Sequence, residues 1–465
     1  MIPPNDIPED HPSAEARAAW GRARREMVPR SAHQVWEPPA DRPDPVAILE
    51  AQNANRVKHL VPIRHQRMLV SPFTFYRGSA AIMASDLDAT PTSGLFAQVC
   101  GDAHLANFGV FGSPERSMVF DLNDFDETNL GPWEWDVKRL AVSAVLLARD
   151  HGWGPEVERN LAATVGAFYR IAMTEFAAQG RLDVWYARLT DEKILGLITD
   201  EKQLRRTTKV IEKARANDVT KAVAKFAEKV DGRWRIKDAP PLIQRLDAAF
   251  ATDRIADVHR HVTAAFGEYL DSIPPHLRHL VSGYQLLDVA VKVVGVGSVG
   301  TRCLIALAQG RDADDLFFFQ IKEANGSVLA PYLDVPVITP HGRRVVEGQH
   351  LMQAASDAFL GWGSVGGHDY YFRQFRDMKG SFDLEKARPP GSSSYLALCA
   401  WTLARAHARS GDRIAIAGYL GKGDRFDRAL TDFSVAYADT VAADYDAFRA
   451  AADSGRIPVA EAPTG

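Results

Sequence analysis

The chain has 465 residues, 46% of them hydrophobic and 25% charged, with a net charge of −4. This is ample apolar material for a core and for about two to four domain-sized units, with no bulk charge to hold nucleic acid or an anionic membrane. Three widely spaced cysteines, Cys100, Cys303 and Cys399, exclude a disulfide framework and a CxxC zinc site, and suit a reducing cytoplasm.

Residues 1–60 are rich in Pro, Asp, Arg and Ala. They read as an irregular N-terminal arm with one short helix around Ala14–Arg25 and a proline-laden strap, Glu37–Pro45. No secretory apolar core is present there, and no run of about 18 apolar residues follows. A cytoplasmic protein with no membrane or nucleic-acid partner is the expectation.

From Phe96 the texture is of short apolar strands: FAQVCGDAH, NFGVFG and SMVFDLND. Gly131-Pro132 then opens a helix, WEWDVKRLAVSAVLLARD, apolar at helical spacing. Residues 155–280 read as mostly helical. Strands return in VAVKVVGVGSVGTRCLIALAQG and LFFFQIKEA, followed by a helix expected from Arg344 to Leu360 and a strand, YYFRQFRDM. The break ARPPGSSS precedes a final helical stretch beginning YLALCAWTLARAHARSG.

Three segments carry chemistry. In Gly101-Asp102-Ala103-His104-Leu105-Ala106-Asn107, Asp102 and Asn107 share one tight loop. Phosphoryl transfer needs a carboxylate beside the acceptor hydroxyl and an amide oxygen on magnesium, and this loop supplies both. Fourteen residues after Asn107, an apolar strand ends in Asp121, with Asp124, Asp126 and Glu127 close behind. Asp121 and Asp124 join Asn107 as candidate Mg²⁺ ligands, since that ion takes oxygen donors, usually one or two carboxylates with phosphate and water. The third segment is Gly295-Val296-Gly297-Ser298-Val299-Gly300, with Lys322 on the next-but-one strand and Glu347 on the helix beyond. Gly295, Gly297, Ser298 and Gly300 would let backbone N–H groups approach ATP phosphates; Lys322 would reach them and pair with Glu347. His104 is a candidate proton shuttle or loop brace. Lys292 and Glu323 are competitors for Lys322 and Glu347. Arg77, Arg376, Asp377 and Lys379 flank these segments and are candidates to contact phosphate or substrate, with surface salt bridges the default expectation.

GDAHLAN followed by VFDLND resembles the catalytic and metal loops of aminoglycoside-phosphotransferase and choline-kinase-like kinases, and Asp136 with Leu140-Ala141 fits the helix that follows them there. The resemblance implies an α+β, two-lobed, protein-kinase-like fold using ATP and Mg²⁺. The order is rotated, with the catalytic and metal loops ahead of the glycine loop, as one circular permutation would produce. Residues 61–285 with 386–465 would form the helical catalytic lobe, and 286–385 the β-rich lobe. The chain also resembles, over roughly residues 60–445, a bacterial domain family of unknown function numbered 2252. FYRG, GDAHLANFG, FDLNDFDE, GPWEWDVKRLA, KVVGVGSVGTR and LARAHARSGD carry that likeness.

The expectation is an ATP-dependent phosphotransferase whose acceptor, small molecule or protein, stays open. Three alternatives stand beside it. One is AMP transfer on the same fold, and another is an ATP-binding regulator without catalysis. The third is a Rossmann-type NAD(P) oxidoreductase, which would use the same GxGxxG spelling at a strand-to-helix turn in a parallel sheet.

Overall fold

A computed structural model describes residues 12–461, apart from 199, 247–251, 294, 296, 376 and 377. Arg376 and Asp377 therefore lie outside the described residues. The fold is α+β.

The N-terminal arm is more ordered than its composition implies. Helix α1 (Ala14–Met27) is capped by Ser13, and α2 (Pro45–Asn53) starts on Asp44 with proline at its first position. Trp36, Val46 and Leu49 are buried in the main core. Arg42 ties the arm to two carboxylates, Asp86 and Asp444, each at 2.7 Å.

Three short helices follow: α3 (Val61–Met68), α4 (Pro72–Tyr76) and α5 (Ala80–Asp88). Strands β1 (Phe96–Val99) and β4 (Asn129–Pro132) pair antiparallel, as do β2 (Phe108–Gly112) and β3 (Met118–Leu122). Helix α6 (Trp133–Asp150) is buried around nearly its whole circumference. Its buried charged residues find partners, as buried charges must. Glu134 accepts from the Ser93 backbone N–H, and Lys138 donates to Thr90 Oγ1. Asp136 accepts from the Cys100 and Gly101 N–H groups at 2.6 and 2.9 Å. One helix thus holds the start of the 101–107 loop from beneath. Gly101 is required there, with φ +81° and no room for a side chain, since a Cβ would meet the Glu127 carbonyl oxygen at 2.3 Å.

Helix α7 (Pro155–Ala178) packs on α6, where Trp133 and Tyr169 stack at 5.3 Å. The region expected to be mostly helical also contains strands. Beyond α8 (Arg181–Tyr186), β5 (Leu189–Thr190), α9 (Asp191–Gly196), α10 (Glu201–Arg215) and α11 (Val219–Phe226) comes a hairpin, β6 (Ala227–Val230) with β7 (Arg233–Ile236), then β8 (Ile243–Arg245). Helices α12 (Thr252–Ser272) and α13 (Pro275–Ser282) complete it.

The large sheet has six strands in the order β12-β13-β11-β10-β9-β8, every neighbouring pair antiparallel. Its members are β9 (Gln285–Lys292), β10 (Cys303–Gln309), β11 (Leu316–Ala324), β12 (Gly361–Val365) and β13 (His368–Gln374), with β8 at one edge. Alternate residues face opposite sides. Phe317, Phe319, Ile321 and Phe372 pack against α12, while Leu316, Phe318 and Phe375 pack with α11 and the β6–β7 hairpin. Gln320 and Lys322 continue the second face. The GxGxxG segment links β9 to β10, two antiparallel strands, not a strand to a helix, which corrects the Rossmann alternative. Helix α14 (His341–Met352) follows β11 and stops at Met352, short of the expected Leu360, because Gln353 turns extended and the chain enters β12. Helices α15 (Pro389–Ser410), α16 (Arg413–Leu420) and α17 (Arg425–Asp453) return to the helical body. Among the described residues, no helix is long and apolar enough to cross a membrane.

Candidate functional site

A cleft of about 700 Å³ lies between the sheet and the helical body, within the usual size of a small-molecule site. Asp102, His104 and Asn107 line it from the loop above α6. Asp124, Asp126 and Glu127 line it from the loop after β3, Gln320, Lys322 and Arg373 from the sheet, and Gly295, Gly297 and Ser298 from the glycine segment. Segments some two hundred residues apart thus meet in one cavity.

Lys322 is the centre of the ionic network. Its Nζ lies 2.8 Å from Asp126 Oδ2 and 3.4 Å from Asp124 Oδ1, and Asp126 Oδ1 accepts from Tyr371 Oη at 2.7 Å. Ser298 Oγ donates to Asp126 Oδ2 at 3.0 Å, which draws the glycine segment down over the cleft. Burial alone would raise the Asp126 carboxyl, but the Lys322 ammonium and the Tyr371 hydroxyl hold it below its ordinary value. Burial, reinforced by Asp126, raises Asp124. Lys322 stays charged: the two aspartates outweigh its desolvation.

Asp102 Oδ1 accepts from Arg139 Nε at 2.9 Å and Nη2 at 2.8 Å, and the Arg139 guanidinium lies 3.7 Å from the Tyr76 ring centroid. Burial raises the Asp102 carboxyl against the pull of Arg139. His104 is buried, with Nε2 3.8 Å from Asp102 Oδ2 and no partner for Nδ1; burial and the charges of Arg77 and Arg139 keep it neutral. Asn107 Nδ2 donates to the Asp102 carbonyl at 2.6 Å, which turns the amide oxygen away from that bond. Glu127 accepts from the Val328 N–H, and burial lifts its carboxyl to about 7.

Three expected site residues are elsewhere. Gly300 does not line the cleft, its carbonyl instead accepting from the Val57 N–H at 2.7 Å. Asp121 does not reach the cleft. Strand β3 runs on to Leu122, and the Asp121 carboxylate is buried against Arg405 at 2.5 Å, with the Leu122 and Ala354 N–H groups each at 2.9 Å. The carboxylates of this loop that line the cleft come three, five and six residues later. Glu347 does not pair with Lys322. It bonds Arg343 at 2.7 Å on the outer side of α14, while the face toward the cleft presents Arg344. Arg344 donates to the carbonyls of Thr128, Asp126 and Asn325. Glu323 faces away from Lys322 and pairs with Arg302 at 2.7 Å, and Lys292 lies near the Phe226 and Phe375 rings.

Sequence reading missed Arg56, Arg139, Tyr371 and Arg373. Only the period-2 alternation could have found the last two, because they stand opposite Lys322 and Gln320 in the β11–β13 register.

Asp124, Asp126 and the Asn107 amide are the oxygen donors of the cleft nearest the expected metal position in sequence. Among the described residues, no cluster of three His, Cys, Asp or Glu side chains is gathered as a metal site. Two carboxylates and an amide do fit a hard divalent cation whose shell is completed by phosphate and water.

The model of the DUF2252 family, described as an uncharacterized protein conserved in bacteria, matches residues 56–451. The chain belongs to the DUF2252 family. The matched span takes in every cleft residue named so far, from Arg56 at its first position to Arg373. No curated protein and no solved structure matches this DUF2252 chain.

Proposed function

We propose that the protein is an ATP- and Mg²⁺-dependent phosphotransferase with a circularly permuted, kinase-like architecture, acting on a hydroxyl acceptor. One observation carries this reading: Lys322 of β11 meets Asp124 and Asp126 across a cleft that Asp102 and Asn107 also line. The strand arrangement agrees with it. A glycine-rich segment joins the first two strands of the β9–β13 array, the lysine stands on the third, and a helix leads to the last two.

Mg²⁺-ATP, when bound, would supply the phosphoryl group and neutralise charge on it. Asp124, Asp126 and Asn107 would hold the metal. Lys322 would release part of its hold on the aspartates to orient phosphate oxygens. The Gly295–Gly300 segment, already tethered by Ser298, would cover them and exclude water. Arg139 fixes Oδ1 of Asp102, so Oδ2 is the atom that would accept the acceptor's hydroxyl proton. Catalysis on this plan is positioning and charge neutralisation. The Lys322 partner differs from the usual glutamate: Asp126 takes that place and Arg344 braces its backbone.

Product analysis with ATP labelled in the α or γ phosphate tests the reading. A phosphotransferase moves γ label to an acceptor, or slowly to water, and Asp102→Asn abolishes the transfer. Transfer of α label would replace it with AMP transfer. Binding of ATP with neither transfer would replace it with a non-catalytic regulator.

A further inference from the structure

Two arginines of the cleft feel nearby carboxylates but are bonded to none of them. Arg77 follows α4 in Phe75-Tyr76-Arg77-Gly78, and Arg56 follows α2; both line the cavity beside Asp102 and His104. Among the described residues neither forms an ion pair, and the Nε of each is shut from solvent without a partner. Arg56 donates Nη1 to the Val299 carbonyl at 2.5 Å and so braces the glycine segment. The Arg77 side chain donates to none of the described residues. Its neighbours are treated differently: Arg139 is bonded by Asp102 and the Tyr76 carbonyl, and Arg64, although its Nε also lacks a partner, donates to Gln52, Asn53 and the Gly78 carbonyl. Asp102 favours the Arg77 charge from a distance, but its Oδ1 is bonded to Arg139 and it makes no salt bridge to Arg77.

A desolvated guanidinium with no bonded partner is costly, and local rules broken in this way mark functional positions. Its planar fork suits an oxyanion. We propose that Arg77, assisted by Arg56, is a subsite for an anionic group, a phosphate or carboxylate, carried by the acceptor whose hydroxyl is presented to Asp102. This rests on the phosphotransferase reading. It makes the acceptor an anionic alcohol and disfavours the cationic acceptors that the aminoglycoside and choline kinases take their names from, since a like charge at Arg77 is repelled.

The test is calorimetric titration of the full chain with inorganic phosphate and with Mg²⁺-AMP-PNP, on wild type, Arg77→Gln, Arg77→Lys and Lys322→Gln. The proposal expects phosphate to bind while AMP-PNP saturates its site. Arg77→Gln should weaken phosphate at least about tenfold, the loss of a charge-assisted hydrogen bond, and leave AMP-PNP affinity within about twofold. Arg77→Lys keeps the charge without the fork and gives an intermediate loss. Lys322→Gln does the reverse, weakening AMP-PNP and sparing phosphate. Arg77→Gln should melt no lower than wild type, since no protein group loses a bond; a purely structural arginine would lower the melting point. Competition between phosphate and AMP-PNP, or parallel weakening of both by Arg77→Gln, would give Arg77 to the nucleotide and overturn the proposal. AMP-PNP binding without phosphate binding overturns the subsite alone. Phosphate binding through Arg77 without any AMP-PNP binding overturns the phosphotransferase reading, and the acceptor assignment with it.

Discussion

Asp121 and Asp126 stand on the same loop-and-strand unit but in opposite surroundings. Asp121 and Arg405 are each about 1% exposed and bonded to one another. Asp121→Ala would strand a buried cation, so we expect a loss of about 3–5 kcal/mol in denaturant unfolding. Asp126 is a quarter exposed and shares Lys322 with Asp124, so Asp126→Ala should cost far less stability while removing Mg²⁺-nucleotide binding. The reverse ranking would return the metal role to Asp121. Glu127 gives a pH signature. Burial raises its carboxyl from 4.5 to about 7, so the folded chain binds this proton more tightly than the unfolded one. Its stabilising contribution is complete below 4.5 and is lost as pH rises through 7. Glu127→Gln, which keeps an oxygen for the Val328 N–H, should therefore raise the melting temperature at pH 8 and leave it nearly unchanged near pH 4.5. An equal effect at both pH values would contradict the assignment.

Helix α14 shows how an element can be found without its working face. Glu347 is partly exposed and paired within the helix, so Glu347→Ala should change stability by about 1 kcal/mol or less. Arg344→Ala leaves three carbonyls without their buried donor and should cost several times as much. Equal effects in urea melts would mean that α14 presents its other face to the cleft. The helix was legible from the residues after β11, but the choice between Arg344 and Glu347 was not, because rotation about the axis is set by packing on β1 and the 124–128 loop. Strands β2, β3, β9, β10 and β11 and the start of α6 were legible from apolar runs, glycine turns and Gly131-Pro132. Two hairpins carried a signal that was passed over. Asp231-Gly232 and Gly366-Gly367 both adopt positive φ, the backbone that a two-residue hairpin turn requires. In the arm, Asp44-Pro45 is a helix start hidden among prolines.

Across the whole molecule, the cleft exists only because widely separated segments close on it. Val57 donates to the Gly300 carbonyl at 2.7 Å, Ser298 to Asp126, and Lys322 to the loop after β3. The glycine loop, the lysine and the Asp102–Asn107 loop could each be read from sequence. Their convergence could not, since nothing in local spacing says which loop faces which strand. On the proposed function, this convergence binds Mg²⁺-ATP through Lys322 and Asp126. The most direct measurement is the melting temperature with ATP and Mg²⁺, against NAD⁺ as control, for wild type, Lys322→Ala and Asp126→Ala. A ligand at about a hundred times its Kd adds roughly 2.7 kcal/mol. The account predicts a Mg²⁺-dependent rise with ATP in the wild type, none with NAD⁺, and its loss in both variants. No rise with ATP, or a rise that survives both substitutions, would contradict it.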